Sequence, residues 1–277
     1  MKVLVIHGSP RAGNTLKLTR SFAEAMKKLG KVDFEYLSVN ELNIEMCRGC
    51  TTCITKGEYF CPLKDDDVKL VVEKMDEADG TIFAAPTYVF NTPALMKNLI
   101  DRLAYFWHRP RYHNKYAVVI STSCGIGLKE ALKCLSFGAA GAWGFKLSGT
   151  LGAYTHPPFF DKKLRKKLDI KIETLAGKFY KDLSKTELPS ARFGEMMRFR
   201  IMSLYSLFFK EIFPANYRFY HENDQLGKDY YLKAAKVNFF KRITAKLLSF
   251  FIRILMWKNR KAMDIYRVFL DWSDIGY

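Results

Sequence analysis

Residues 2–15 read Lys-Val-Leu-Val-Ile-His-Gly-Ser-Pro-Arg-Ala-Gly-Asn-Thr (KVLVIHGSPRAGNT), and this stretch decides the fold. The apolar run 2–7 is too short for a helix and suits a buried strand. After Thr15, Leu16, Leu18, Phe22, Ala25 and Met26 fall on one helical face, with Lys and Arg opposite. Between strand and helix lies Gly8-Ser9-Pro10-Arg11-Ala12-Gly13-Asn14. A loop that leaves a strand's carboxyl end and opens a helix presents free backbone N–H groups and the positive end of the helix dipole. The hydroxyls of Ser9 and Thr15, the Asn14 amide and the Arg11 guanidinium can all bond phosphate oxygens. The plainer alternative is a strand–helix turn with Asn14 as cap. Neither G-x-x-x-x-G-K-[ST] nor G-x-G-x-x-G is present, so triphosphatase and Rossmann readings are not supported.

The same alternation continues to about residue 180. Short apolar runs at 33–38, 80–86, 116–122 and 146–153 are separated by amphipathic stretches at 66–77, 92–105, 126–142 and 160–184. Buried strands alternating with helices predict a parallel sheet covered on both faces. The expected fold class is α/β: a flavodoxin-like, doubly wound, five-stranded parallel sheet, order 2-1-3-4-5, with a helical C-terminal extension. The expected division is a domain at 1–184, carrying a Cys-rich insert at 45–62, and a basic, aromatic-rich extension at 185–277. Twenty-one of the residues from 180 to 277 are aromatic.

With 49% hydrophobic and 26% charged residues the 277-residue chain has the balance of a packed protein, which excludes disorder as its main state. Lys+Arg 45 against Asp+Glu 28 leaves a net charge of +17. That surplus is spread along the chain and no nucleic-acid-binding signature accompanies it, so no nucleic-acid partner is expected. The first apolar run is too short for a secretory signal core, and a cytoplasmic location is expected.

Ser9, Arg11, Asn14 and Thr15 sit where the NADPH-dependent FMN reductase group of flavodoxin-like proteins carries its phosphate loop, and the chain resembles that group. The resemblance implies non-covalent FMN, with its phosphate on these four residues. Two later loops fit the ring. Ala85-Pro86-Thr87-Tyr88-Val89-Phe90-Asn91 ends the third strand. There Pro86 stiffens the loop, Tyr88 offers an aromatic wall, and Thr87 and Asn91 offer polar contacts. This P-x-Y loop, and the L-I-D-R that ends its helix, also resemble the family. Ser121-Thr122-Ser123-Cys124-Gly125 ends the fourth strand, with Ser123 and Gly125 placed for a ring edge. Cys124 departs from the T-S-G-G seen in the family. It reads as a small packing residue or as a reactive thiol beside the ring.

Cys47, Cys50, Cys53 and Cys61 are spaced C-x2-C-x2-C-x7-C. Four thiols at such spacing suit one inorganic centre. The start resembles the bacterial ferredoxin run, no histidine lies near, and zinc more often takes two separated pairs. The pattern also resembles the iron–sulfur flavoproteins, a branch of the same family, which implies a 4Fe-4S cluster on these four residues. Free or disulfide-forming thiols remain the alternative. Asp65-Asp66-Asp67 reads as an acidic first turn complementing a helix dipole. His108, Arg109, Arg111 and His113 read as a solvated basic turn, or else as a receiver for NADPH phosphates.

In 239–257, Lys241, Arg242, Lys246, Ser249 and Arg253 share a helical face, while Phe, Leu and Ile fill the remainder. Such a helix is buried against the domain or a dimer partner, the favoured reading, or lies in an anionic membrane surface. The resemblance implies an oxidoreductase that takes a hydride from NAD(P)H and passes electrons to a quinone, small-molecule or protein acceptor, as a homodimer. The alternative is a non-enzymatic electron carrier, docked to a membrane surface by its extension.

Overall fold

A computed structural model of the chain describes residues 1–155, 162–187, 189–222, 228, 230–231 and 238–258. In chain order the elements are β1 Lys2–His7, α1 Asn14–Lys27, β2 Asp33–Ser38, α2 Thr52–Thr55, α3 Val68–Glu77, β3 Gly80–Pro86, α4 Ala94–Arg102 and α5 Tyr105–His108. They continue with β4 Tyr116–Ser123, α6 Leu128–Lys133, β5 Lys146–Tyr154, α7 Lys162–Leu183, α8 Phe193–Phe208, α9 Pro214–Glu222 and α10 Phe239–Lys258. Two units emerge. One comprises residues 1–47 and 63–187; the other joins residues 48–62 to the described residues beyond 188.

The first unit is built on a parallel sheet of order β2-β1-β3-β4-β5, as expected. Its central strands are buried on both sides because their runs hold almost no polar side chain: Val3 to Ile6, Ile82 to Ala85 and Ala117 to Ile120 are all solvent-free. Edge strand β2 has no fully buried residue, which fits its being the least apolar of the five. On one face Phe22 and Met26 of α1 meet Phe179 and Ala176 of α7 over Val3, Val5, Ile82 and Val118. The Phe22 and Phe179 rings lie 6.3 Å apart. On the other face Phe83 meets the edges of Trp143 and Phe145, and Phe145 stacks on Tyr112.

Two predicted helices are broken. The 92–105 stretch ends as α4 at Arg102 and resumes as the single turn α5. The 126–142 stretch is α-helical only over α6, then continues as a π-helix over Cys134–Gly141, where Gly138 and Gly141 lower the helical preference.

The basic turn at 108–113 is solvated only at Arg111: Arg109 and His113 are buried, and His108 is half-buried. Its backbone explains this, because the amides of Arg111 and Tyr112 both donate to the Trp143 carbonyl, drawing the turn onto the core. Burial, and then Arg109, lower the His108 pKa to about 4.

The second unit has its own core, in which Phe199, Tyr220, Tyr230, Tyr231, Met196 and Ala245 pack together. The Tyr220 and Tyr231 hydroxyls share a hydrogen bond of 2.9 Å. Arg218 of α9 donates to the Lys56 carbonyl at 2.8 Å, tying the short cysteine segment into this unit. Among the described residues, no helix is long and apolar enough to cross a membrane.

Candidate functional site

Three loops leave the carboxyl ends of β1, β3 and β4, where the strand order reverses. In open parallel sheets that is where ligands bind. The first is pinned from below by the Gly8 amide, which donates to the Ala84 carbonyl at 2.8 Å. A side chain at Gly8 would meet Met96 Cβ at 2.5 Å, so this glycine serves the packing of α4 under the loop. The Ser9 hydroxyl donates to the Arg11 carbonyl at 2.8 Å and accepts the Arg11 amide at 3.4 Å. The serine is therefore buried and shapes the loop from within. Arg11 and Asn14 are exposed. The first-turn amides of α1 have no carbonyl a turn earlier within the helix and face outward as donors.

Thr15 is placed differently from the exposed pair. Its buried Oγ1 lies 2.6 Å from Thr122 Oγ1, joining the start of α1 to the end of β4. Thr122 is a hub that sequence reading passed over, because its carbonyl also accepts the Thr87 amide at 2.7 Å. The Thr87 and Ser121 hydroxyls lie 3.4 Å apart. Thr122 thus couples all three loops through one residue.

The second loop closes in a two-residue turn. Tyr88 and Asn91 exchange backbone hydrogen bonds of 2.7 and 2.9 Å, with Val89 at φ 45° and Phe90 at φ 61°. Both central residues at positive φ is the type I′ pattern, ordinarily filled by Asn and Gly. A β-branched valine there is strained, and such strain gathers at functional sites. The turn presents Tyr88, Val89 and Phe90 to solvent, with Val89 94% exposed. Pro86 and Thr87 are half-buried beneath it, and Asn91 Oδ1 accepts the Thr92 amide at 2.8 Å.

The third loop is braced by Ser123. Its hydroxyl donates to the Ile126 carbonyl at 2.7 Å and accepts the Gly125 amide at 3.2 Å. Gly127, at φ 82°, allows this loop to lie on the second, since a side chain there would come within 2.8 Å of Phe90 Cα. Gly125 is exposed beside it, and the exposed Cys124 Sγ lies 3.7 Å from Thr155 Oγ1. The ten residues expected around a cofactor therefore share one end of the sheet. Arg11, Asn14, Tyr88, Asn91 and Gly125 are open to a ligand; Ser9, Thr15 and Ser123 hold the loops in shape.

Beside the first loop a cavity of about 280 Å³ is walled by His7, Arg11, Arg20, Tyr36 and Asn40. His7 is buried, and its Nε2 has no hydrogen-bond partner among the described residues. Burial, and then the Arg20 charge, lower its pKa and keep the ring neutral. Arg20, Tyr36 and Asn40 were not singled out from sequence; Arg20 reaches the cavity from α1, and β1–β2 pairing brings Tyr36 and Asn40 to it.

The cysteines are free thiols, with Cys47 in the first unit and Cys50, Cys53 and Cys61 in the second. Among the described residues no three Cys, His, Asp or Glu side chains gather closely enough to hold a metal ion. The four thiols have the donor chemistry of an iron–sulfur site. The Cys47 amide donates to Asn98 Oδ1 at 2.9 Å, and its Sγ lies 3.8 Å from the Asp101 carbonyl. Burial raises the Cys50 pKa, but hydrogen bonds at Thr52 outweigh it and set the thiol below its ordinary value.

The helix ending L-I-D-R has a structural task. Buried Arg102 pairs with buried Asp66 and donates to the carbonyls of Glu45 and Leu63 at 3.0 and 2.9 Å. Asp66 also accepts the amides of Glu45 and Val68. One ion pair thereby clamps the two strands of chain that lead to and from residues 48–62. Asp66 stands at the start of α3, as the acidic-turn reading expected, and in addition pairs with Arg102, thirty-six residues away in sequence.

Residues 1–137 match the profile of NADPH-dependent FMN reductases. Two iron-sulfur flavoproteins of Archaeoglobus fulgidus are 46% identical over 102 residues and 35% identical over 147 residues. Those alignments cover 37% and 52% of this chain, and 48% and 64% of the relatives. The chain thus spans between half and two-thirds of the length of these curated relatives. Among solved structures, an azoreductase from Bacillus anthracis str. Sterne superposes with a TM-score of 0.50 at 18% identity, covering 65% of this chain and 99% of that one. At that identity the likeness speaks for the fold. The profile match contains β1 to β4 and all three loops, and over residues 1–137 the chain is similar to the NADPH-dependent FMN reductases.

Proposed function

We propose that the first unit binds FMN non-covalently and works as an NAD(P)H-dependent oxidoreductase, delivering electrons to a quinone, another small molecule or a redox protein. The observation that carries this is the convergence of three loops at the switch point, coupled through Thr122. In the proposal Arg11, Asn14 and the first-turn amides of α1 hold the phosphate, with Ser9 and Thr15 fixing the loop that presents them. Pro86, Thr87, Tyr88 and Asn91 border one side of the ring, and Ser123 and Gly125 another. Bound flavin supplies two-electron acceptance from a nicotinamide. The chain positions the ring, and the apolar turn at 88–90 narrows the water-exposed approach to it. No side chain is assigned as acid or base. A homodimer and a cytoplasmic location belong to the same proposal.

The family profile and two further relatives support it. FMN-dependent NADH:quinone oxidoreductases of Mycoplasmoides gallisepticum and Metamycoplasma arthritidis are 29% and 26% identical over about half of this chain. The cysteine spacing and the names of the Archaeoglobus proteins support a 4Fe-4S cluster on Cys47, Cys50, Cys53 and Cys61.

The test is an absorption spectrum of anaerobically purified protein with iron and acid-labile sulfide assays, followed by steady-state NAD(P)H oxidation with quinone and ferricyanide. Flavin bands with turnover support the reductase. Flavin bands without turnover favour the electron carrier, and no flavin after reconstitution sinks both. Iron with matching sulfide supports the cluster; its absence after reconstitution removes it. Arg11→Ala is expected to weaken FMN about tenfold, the worth of one charge-assisted hydrogen bond, in a fluorescence titration.

A further inference from the structure

The second unit carries a feature the flavin chemistry does not use. In α10 only Ala245 and Ser249 are buried, with Ile252 and Met256 half-buried; these four form a single stripe at helical spacing that packs on α8. Ten large apolar side chains of the same helix are 36% to 76% exposed: Phe239, Phe240, Ile243, Leu247, Leu248, Phe250, Phe251, Ile254, Leu255 and Trp257. At 3.6 residues per turn they fill roughly the half of the circumference opposite the stripe. Arg242, Lys246 and Arg253 lie along one border between the two faces, and α10 contains no acidic residue. Helices of water-soluble domains do the reverse, burying the apolar face and showing the charged one. An apolar face of this extent is an interaction site.

Between α8 and α10 a cavity of about 580 Å³ is lined by Arg200, Lys246, Arg253, Ser203, Ser249 and Leu204, among others, with no carboxylate among the described residues that line it. Arg200 Nη1 donates to Ser249 Oγ at 3.5 Å across it. A groove with cationic and hydroxyl groups set beside aliphatic walls matches an anionic phosphate headgroup with its acyl chains. From the outward apolar face, the basic border and the basic, hydroxyl-bearing groove beside it, we infer that α10 lies in the surface of an anionic lipid bilayer, with the α8–α10 groove holding a lipid phosphate. Apolar burial supplies the anchor and the basic border selects anionic surfaces. The inference stands apart from the flavin reading, because its test reads lipid binding alone.

The experiment is flotation of the full chain with vesicles of phosphatidylcholine alone or with ~30 mol% phosphatidylglycerol. Expected is binding to the anionic vesicles that weakens several-fold between about 0.1 and 0.5 M salt. The pair Phe250→Ser/Phe251→Ser is expected to lower binding at least about tenfold, and Lys246→Gln/Arg253→Gln several-fold. These positions are exposed, so the urea midpoint should hold. Leu164→Ser, an exposed apolar position on α7, should leave binding unchanged. Failure of the unmodified chain to float with anionic vesicles overturns the inference. If sedimentation velocity then shows an oligomer dissolved by the Phe pair, the face belongs to a second copy. Equal binding to neutral vesicles, indifferent to salt and to the Lys246/Arg253 pair, overturns the headgroup assignment.

Discussion

Helices α1 and α10 carry the same kind of signal in the sequence, apolar residues at three- and four-residue spacing with basic residues between them. In the structure they face opposite ways. Helix α1 turns Leu18, Phe22, Ala23 and Met26 into the core and its lysines and arginines outward. Helix α10 turns a narrow small-residue stripe inward and its phenylalanines and leucines outward. Periodicity therefore fixes that a helix has two faces but not which one meets the protein. What distinguishes them is the neighbour. Helix α1 lies over the apolar central strands of a parallel sheet, whereas α10, among the described elements, meets chiefly α8.

The sharpest test of that contrast is a matched pair of truncations. Phe22→Ala removes a solvent-free ring packed on Phe179 and should destabilise the first unit by about 4 kcal/mol, the usual cost of an emptied aromatic site. Phe250→Ala, on the outward face of α10, should stay within about 0.5 kcal/mol. Urea unfolding of both variants checks this, and similar midpoint losses would mean that α10 is buried in solution. Next in size is Arg102→Ala, expected to cost about 3 kcal/mol because it strands Asp66 without its buried counter-charge. The backbone amides that Asp66 also accepts keep the loss at the lower end of the range for such pairs. Exchange protection should fall in 43–47 and 63–67 before the sheet opens, the local response of a clamp rather than of a core residue.

The legible part of the fold is the part dictated by short-range chemistry. All five strands follow from apolar runs bounded by glycine, proline or polar residues. The sheet order follows from the alternation of strand and helix, and the phosphate-type loop from Gly8 to Thr15. What escaped reading depends on partners far away in the chain. Asp66 looks like any acid at a helix start until Arg102 arrives beside it. Thr122 looks like one residue of a strand until Thr15 and Thr87 reach it. The turn at 108–113 looks solvated because its charges are local, while the Trp143 carbonyl that buries it is not.

That buried turn gives a pH signature expected in the first unit alone. The His108 pKa is about 4 in the folded chain, against an ordinary value near 6.5 when unfolded. Above that ordinary value the ring is neutral in both states and contributes nothing. As pH falls from about 6.5 towards 4 the unfolded chain takes the proton and the folded one does not, so stability drops. By about pH 4.5 the loss should reach roughly 2 kcal/mol, and His108→Gln should flatten the slope in this window. Urea midpoints across pH 4.5 to 7 would show it. An unchanged slope in the variant would mean that His108 is solvated, as the sequence suggested.

The smallest effect lies at the turn over the candidate site. Val89 at φ 45° pays for a conformation that asparagine adopts with little strain, since a short polar side chain bonds its own backbone where a branched carbon crowds the carbonyl. Val89→Asn should therefore stabilise the first unit by about 1 kcal/mol, read as a small rise in the urea midpoint. The same change removes an apolar side chain that is almost wholly exposed, so no core contact is lost to offset the gain. A residue that costs stability and packs against nothing in its own unit is retained for what it meets outside. Val89→Asn should accordingly raise the KM for a hydrophobic quinone while leaving FMN affinity unchanged. Stabilisation with an unaltered KM would show that the turn borders no acceptor. A loss of stability would show that valine is relaxed there, and the strain argument would fall with it.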